Sequence, residues 1–282
     1  LRLPLIILGV VGVAALAMPL VAMALHADPG SVDLLVRFAD PSPAHPLGTD
    51  ELGRDMLLRL LEGGRVSLII GVAAALTAAA IGTAVGLAAG YLGGWTDHVL
   101  MRFADGVIAL PLLPLLIVLA ALDLHKLGVS QWLAESPAIS LLRIIALAVL
   151  IGWTTAARLV RGATLVTRQR DFVRAAQSLG AGTPHILWRH ILPNVMAPLV
   201  VATTLSVGDI ILLESVLSFL GLGVQPPLAS WGSMLSNAEE LITSSPMLAI
   251  YPGAMIFLTV IACNLLGDAL LARFDPRDPT RI

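Results

Sequence analysis

Charge is what this 282-residue chain has least of. Only 13% of its residues are Asp, Glu, Lys or Arg, against about 25% in an average soluble domain. With 57% hydrophobic residues and a mean hydropathy of +0.90, the chain reads as an integral membrane protein. Lysine is nearly absent, Lys126 standing beside sixteen arginines, and the net charge of −2 leaves no broad basic surface for nucleic acid. A single cysteine, Cys263, excludes an intrachain disulfide. There is no GxxxxGK[ST], so the chain has no phosphate loop of its own for ATP. The six histidines show no HExxH or other metal spacing, and no serine sits in a GxSxG elbow. We therefore expect no catalytic residue, no metal site and no cofactor in this chain.

What is abundant is long apolar sequence. The first run, Leu3 to Leu25, has 23 residues without a charge. It is too long for a signal-peptide core and lacks a clear cleavage motif, so we expect a retained span. Further runs lie at about 66–90, 104–124, 138–158, 195–220 and 246–271, each near the roughly 20 residues that cross a bilayer. Six spans put both termini on one side. With the N-terminus inside, inner segments hold eleven basic residues and outer segments six, so the positive-inside rule favours cytoplasmic termini. Gly82, Gly86 and Gly90 share one face of the second span and read as an internal packing seam. Pro111, Pro114 and Pro198 are expected to bend their helices.

One polar stretch between two spans, Asp171 to Asn194, is patterned densely. Phe172, Ala175, Ala176 and Leu179 stand at i, i+3, i+4 and i+7, one face of a short helix. Gly180 follows where a C-cap needs positive φ. Thr183 and Pro184 suit the N-cap and first position of a second short helix, expected to end near Pro193. Such an element, facing the cytoplasm, is a docking surface. On the outer side, Thr49 is a plausible N-cap for an amphipathic helix with Leu52, Met56, Leu57, Leu60 and Leu61 on its apolar stripe. Trp231, in the Gly-, Pro- and Ser-rich connection 221–245, is expected to anchor at the membrane interface.

Asp209 and Glu214 lie within the fifth span. A carboxylate there costs several kcal/mol unless paired, protonated or wetted. Two readings follow: a water-filled substrate path, or a structural role at a helix end or beside a neighbouring donor.

The polar stretch RAAQSLGAGTPHILWRHILP resembles the EAA loop of binding-protein-dependent ABC importer permeases: EAA, three residues, Gly, nine residues, then IxLP. Ala175, Ala176, Gly180, Leu192 and Pro193 match in register, while Arg174 stands for the Glu and His190 for the Ile. His45–Asp55, Gly90–Asp105, Leu217–Leu235 and Asn264–Arg277 are similar to further signatures of the dipeptide/oligopeptide class, in its C-type subunit.

The resemblance implies an all-α polytopic membrane protein: one transmembrane domain over 1–282, with a cytoplasmic coupling loop at 159–194. It implies partners: a second related permease, cytoplasmic ATPase subunits carrying ATP and Mg, an extracytoplasmic solute-binding protein, and a dipeptide or oligopeptide substrate moved by alternating access. The residues expected to meet the ATPase are Phe172, Arg174, Ala175, Ala176, Leu179, Gly180, His190, Leu192 and Pro193. Asp209 and Glu214 are the candidates for the substrate path. The competing readings are a proton-coupled secondary transporter using those two carboxylates, and a permease of the same class for nickel or another small solute.

Overall fold

The fold was analysed as a computed structural model, which describes residues 1–122, 136–236 and 245–274, together with positions 126, 128, 130, 132, 242 and 243. Asp123, at the expected end of the third span, and the C-terminal Arg277 and Arg281 lie outside the described residues.

Helices dominate: α1 (Arg2–Leu25), α2 (Met56–Leu92), α3 (Gly94–Ala109), α4 (Leu112–Ala120), α5 (Pro137–Thr167), α6 (Asp171–Ser178), α7 (Thr183–Ile186), α8 (Leu192–Phe219) and α9 (Met247–Phe274). Among the described residues there is no strand, only an isolated bridge between Thr49 and Asp55. Among the described residues, five helical segments are long and apolar enough to cross a membrane. A sixth crossing exists only if α3 and α4 count as one span, and they meet at 83°. The bend expected in the span over 104–124 is thus a full break between two helices. The break falls at Leu110–Pro111, where proline disfavours helical geometry in the residue before it. Pro114 is tolerated in the first turn of α4.

The seam between α2 and α5 organises the bundle. A Cβ on Gly82 would lie 2.5 Å from the Ala156 methyl, one on Gly86 would lie 2.6 Å from the Ala157 carbonyl, and one on Gly90 would lie 2.7 Å from Thr164 Cβ. Small residues let the two backbones touch, which is how helices associate where lipid offers no hydrophobic drive. The glycine face is internal, as its spacing suggested. Nearer the start of α2, Val66, Ile70 and Ala74 pack with Ile144 and Ala148 of α5 and Ile210 of α8.

The outer segment departs from its expected form. The helix begins at Met56, not near Thr49, and runs unbroken into the second span. Its cap is Asp55, whose carboxylate accepts from the Leu58 amide at 2.9 Å and contacts His45 Nδ1 at 3.0 Å. Thr49 is instead a tie in the preceding loop, its hydroxyl donating to the Val36 carbonyl and accepting from the Ala39 amide. Asp50 accepts from the Leu52 and Arg54 amides and pairs with Arg54 (2.7 Å) and Arg59 (3.4 Å). Helical spacing was mimicked by a compact loop because these charges pair with one another and are buried, where an interfacial helix would turn them to solvent. The side chains of Asp50, Asp55 and Arg59 are all buried.

Trp231 is likewise a core residue and not an interface anchor. It is wholly buried against Gly63 and Gly64. Its indole N–H donates to the Leu60 carbonyl at 3.0 Å, which removes the cost of burying that polar edge. The connection after α8 thus folds back onto the start of α2.

Candidate coupling surface and intramembrane carboxylates

The α6–α7 element is built to be rigid. α6 ends in a Schellman turn: Gly180, at φ 80°, donates its amide to the Gln177 carbonyl, and Ala181 donates to Ala176. Those bonds satisfy last-turn carbonyls, and glycine carries the left-handed φ without steric cost. Asp171 in the first turn of α6 complements the positive end of the helix. The cap of α7 is Gly182, one residue before the expected Thr183, with Pro184 inside the first turn. The second helix also does not end near Pro193. It passes through a π-helical turn, Leu187–Ile191, directly into α8. The wider turn accommodates a proline that cannot donate to the ladder. Asn194 Nδ2 donates to the His190 carbonyl at 2.6 Å in the same turn.

One residue anchors the element. Val173 is 0% exposed and packs with Ile186, Ile191 and Val195, and with Ala156 and Val160 of α5. The sequence reading missed Val173 because the search was for one apolar face, and the anchor lies beside it. The stripe it did identify is left bare. Leu179 is 89% exposed, Phe172 is 43% exposed, Ala175 is exposed and Ala176 is half-buried. Arg174 is exposed. His190 is half-buried, its ring 6.2 Å from that of Phe172 and 5.7 Å from that of His185. Leu192 is half-buried and Pro193 exposed at the entry to α8. The nine expected residues are thus gathered on one corner of the molecule, except that Leu192 and Pro193 continue the transmembrane helix.

The two carboxylates in α8 have different surroundings. Glu214 is 0% exposed. Ser218 Oγ donates to it at 2.6 Å and Ser67 Oγ, from α2, at 3.1 Å. The Ser67 hydroxyl also accepts from the Trp231 amide, and Ser218 from the Val224 amide and the Ser230 hydroxyl. A chain of hydroxyls thereby connects α2, α8 and the returning loop around one carboxylate. Asp209 is exposed on the helix surface, and among the described residues no ion pair or hydrogen bond of its side chain is found. The two groups face different sides of α8 and do not form one site.

Residues 82–277 match the family described as binding-protein-dependent transport system inner membrane component. The chain belongs to this family. It is similar to the oligopeptide transport system permease protein OppC of Bacillus subtilis, 38% identical over 250 residues, covering 89% of this chain and 77% of that protein. It is also similar to the glutathione transport system permease protein GsiD of Escherichia coli O6:K15:H31, 43% identical over 237 residues, covering 84% and 74%. Its fold is shared with a crystal structure titled as an amino acid ABC transporter with histidines, at a TM-score of 0.54 and 14% identity, covering 77% of this chain and 94% of that one. The chain is a multi-pass permease subunit of an ABC importer, and membership favours the ATP-driven reading over a proton-coupled carrier. The matched span takes in the permease's α6–α7 element, its glycine seam and both carboxylates.

Three permease residues that the sequence reading counted only as topology charges have specific partners. Arg161 forms a two-pronged pair with Asp97 of α3 at 2.5 and 2.6 Å, and Arg158 pairs with Asp105 at 2.6 Å. Arg168 donates to the Gly90 and Tyr91 carbonyls at the end of α2. Their spacing along α5 and its C-cap is a sequence signal, but the acidic partners of Arg158 and Arg161 lie 53 and 64 residues away.

Proposed function

We propose that this permease carries peptides inward across the cytoplasmic membrane by alternating access, driven by ATP hydrolysis on a partner ATPase that grips the α6–α7 element. The observation that carries the reading is the conformation of that element: a helix anchored by Val173 that leaves Phe172, Ala175 and Leu179 uncovered. An apolar helix face held rigidly beside the membrane suits a groove on a soluble partner. Arg174 and Gly180 lie beside this face in the chain, the His190 ring is 6.2 Å from that of Phe172, and Leu192 and Pro193 begin α8. A second permease, a solute-binding protein and Mg-bound ATP on the ATPase complete the machine, and the excess of basic residues in the inner segments supports cytoplasmic termini.

Peptides are the substrate class suggested by the names of the relatives. Within this reading the two carboxylates divide. Asp209 faces outward from a spanning helix, a position tolerable only against water or a partner group, and it is assigned to the path. Glu214, enclosed by three elements of its own chain, holds the outer loop in place.

The test is recovery of the ATPase on the tagged permease after Ala176→Pro, which breaks α6 in its second turn. Normal membrane insertion with lost ATPase is expected. Full ATPase recovery would remove the docking role.

A further inference from the structure

The coupling surface must act on the transmembrane helices, and one corner of the molecule is arranged to receive its motion. α2 ends at Leu92, and the carbonyls of its last turn have no partner within the helix. Arg168 supplies one. Its Nη1 donates to the Gly90 carbonyl at 2.9 Å and the Tyr91 carbonyl at 3.2 Å. Arg168 is itself the C-cap residue of α5, so one guanidinium joins the inner ends of the two helices. Tyr91 reaches in the other direction. Its ring packs against the cluster containing Val173, Ile186 and Ile191, and its hydroxyl accepts from Gln177 Nε2 of α6 at 3.4 Å.

The corner is clamped on its far side as well. α3 starts two residues after α2 ends, and the Asp97–Arg161 and Asp105–Arg158 pairs hold it on α5. The glycine seam lets α2 and α5 touch through backbone, so sliding between them is sterically blocked. A displacement of α6 therefore meets a body made of α2, α3 and α5.

We propose that Arg168, three residues before α6, is a positioning residue which, through its bonds to the Gly90 and Tyr91 carbonyls, passes movement of α6 into the α2–α3 corner, so that α2, α3 and α5 respond as one unit. The inference rests on the coupling reading of α6 and goes beyond it by naming the route.

Hydrogen exchange on the assembled transporter in nanodiscs tests it, comparing nucleotide-free and vanadate-trapped Mg-ATP states. In the wild type, exchange is expected to change both in α6 and at residues 90–97. In Arg168→Ala the α6 change remains, while the change at 90–97 falls about threefold or more. Arg168→Lys keeps a donor and restores much of it, and Tyr91→Phe, which removes a single hydroxyl, gives an intermediate loss. A merely structural role for Arg168 would leave the nucleotide-dependent difference at 90–97 intact, and that result overturns the proposal. Joint loss of both responses in Arg168→Ala also overturns it. A wild-type complex in which α6 itself ignores the trapped nucleotide would instead defeat the coupling reading, and this inference with it.

Discussion

Gly82 faces Ala156 so closely across the α2–α5 seam that a Cβ at position 82 would lie 2.5 Å from the alanine methyl. The same closeness recurs one and two turns on, at Gly86 against Ala157 and Val160 and at Gly90 against Arg161 and Thr164. Gly86→Val is expected to force the helices apart, costing about 1–3 kcal/mol by overpacking. Its thermal midpoint in detergent should fall, whereas Gly162→Ala on α5, where a Cβ would meet nothing within 4 Å, should match or exceed wild type. Equal midpoints for Gly86→Val and wild type would mean the seam is not close-packed.

The return of the outer loop depends on Trp231. Trp231→Phe removes the donor to the Leu60 carbonyl and part of the volume packed on Gly63 and Gly64, at a cost of roughly 1–3 kcal/mol. Limited proteolysis should then cut within 221–236 sooner than in wild type. A cleavage rate unchanged by the substitution would show that the loop is held elsewhere.

Ser218 is the branch point of the hydroxyl chain at Glu214. Ser218→Ala leaves the carboxylate and the Val224 amide each short of a partner, a loss of about 1–3 kcal/mol. Glu214→Gln keeps an acceptor and is expected to cost less. The double variant should be less unstable than the sum of the singles, because the two groups share one interaction. Strict additivity in denaturation midpoints would argue against the node.

Leu179 and Val173 separate docking from folding. Leu179 is 89% exposed, so Leu179→Asp should change stability by no more than about 0.5 kcal/mol. It should nonetheless weaken ATPase binding by roughly tenfold or more, as loss of an interface anchor does. Val173→Ala should show the reverse emphasis, a lower thermal midpoint with the ATPase still recovered. Affinity measured by titration of purified ATPase distinguishes the two, and an unaffected Leu179→Asp would rule out this face.

Asp209 carries a prediction about uptake. Asp209→Asn is expected to reduce transport of peptides with a free amino terminus more than of N-acetylated ones, measured in vesicles with the partner proteins present. Equal reduction of both would make the residue structural.

The spans were legible because lipid demands long unbroken apolar runs, and α1, α2, α5, α8 and α9 follow them. The short helix α6 was legible through its spacing and its closing glycine, which meets φ 80°. The outer helix was misread because Thr49, Asp50 and the leucines that follow fit a 3.6-residue period as well as they fit a tied loop. What decided between them was the burial of Asp50 and Arg59, which depends on what the rest of the molecule packs over them. Trp231 was misplaced for the same reason: an aromatic near a membrane end favours the interface unless a pair of glycines far away in the chain makes room for it.

Composition and period by themselves determined that this chain lives in a membrane, where its helices run, and which short polar segment between them is helical. Those properties are local, set by each segment's contact with lipid or water and by backbone rules at glycine and proline. Tertiary structure alone decided that Glu214 is enclosed and Asp209 exposed, that Val173 anchors what Leu179 presents, and that Arg168 ties α2 to α5. These depend on which distant residues meet, and no window of neighbouring sequence contains that information.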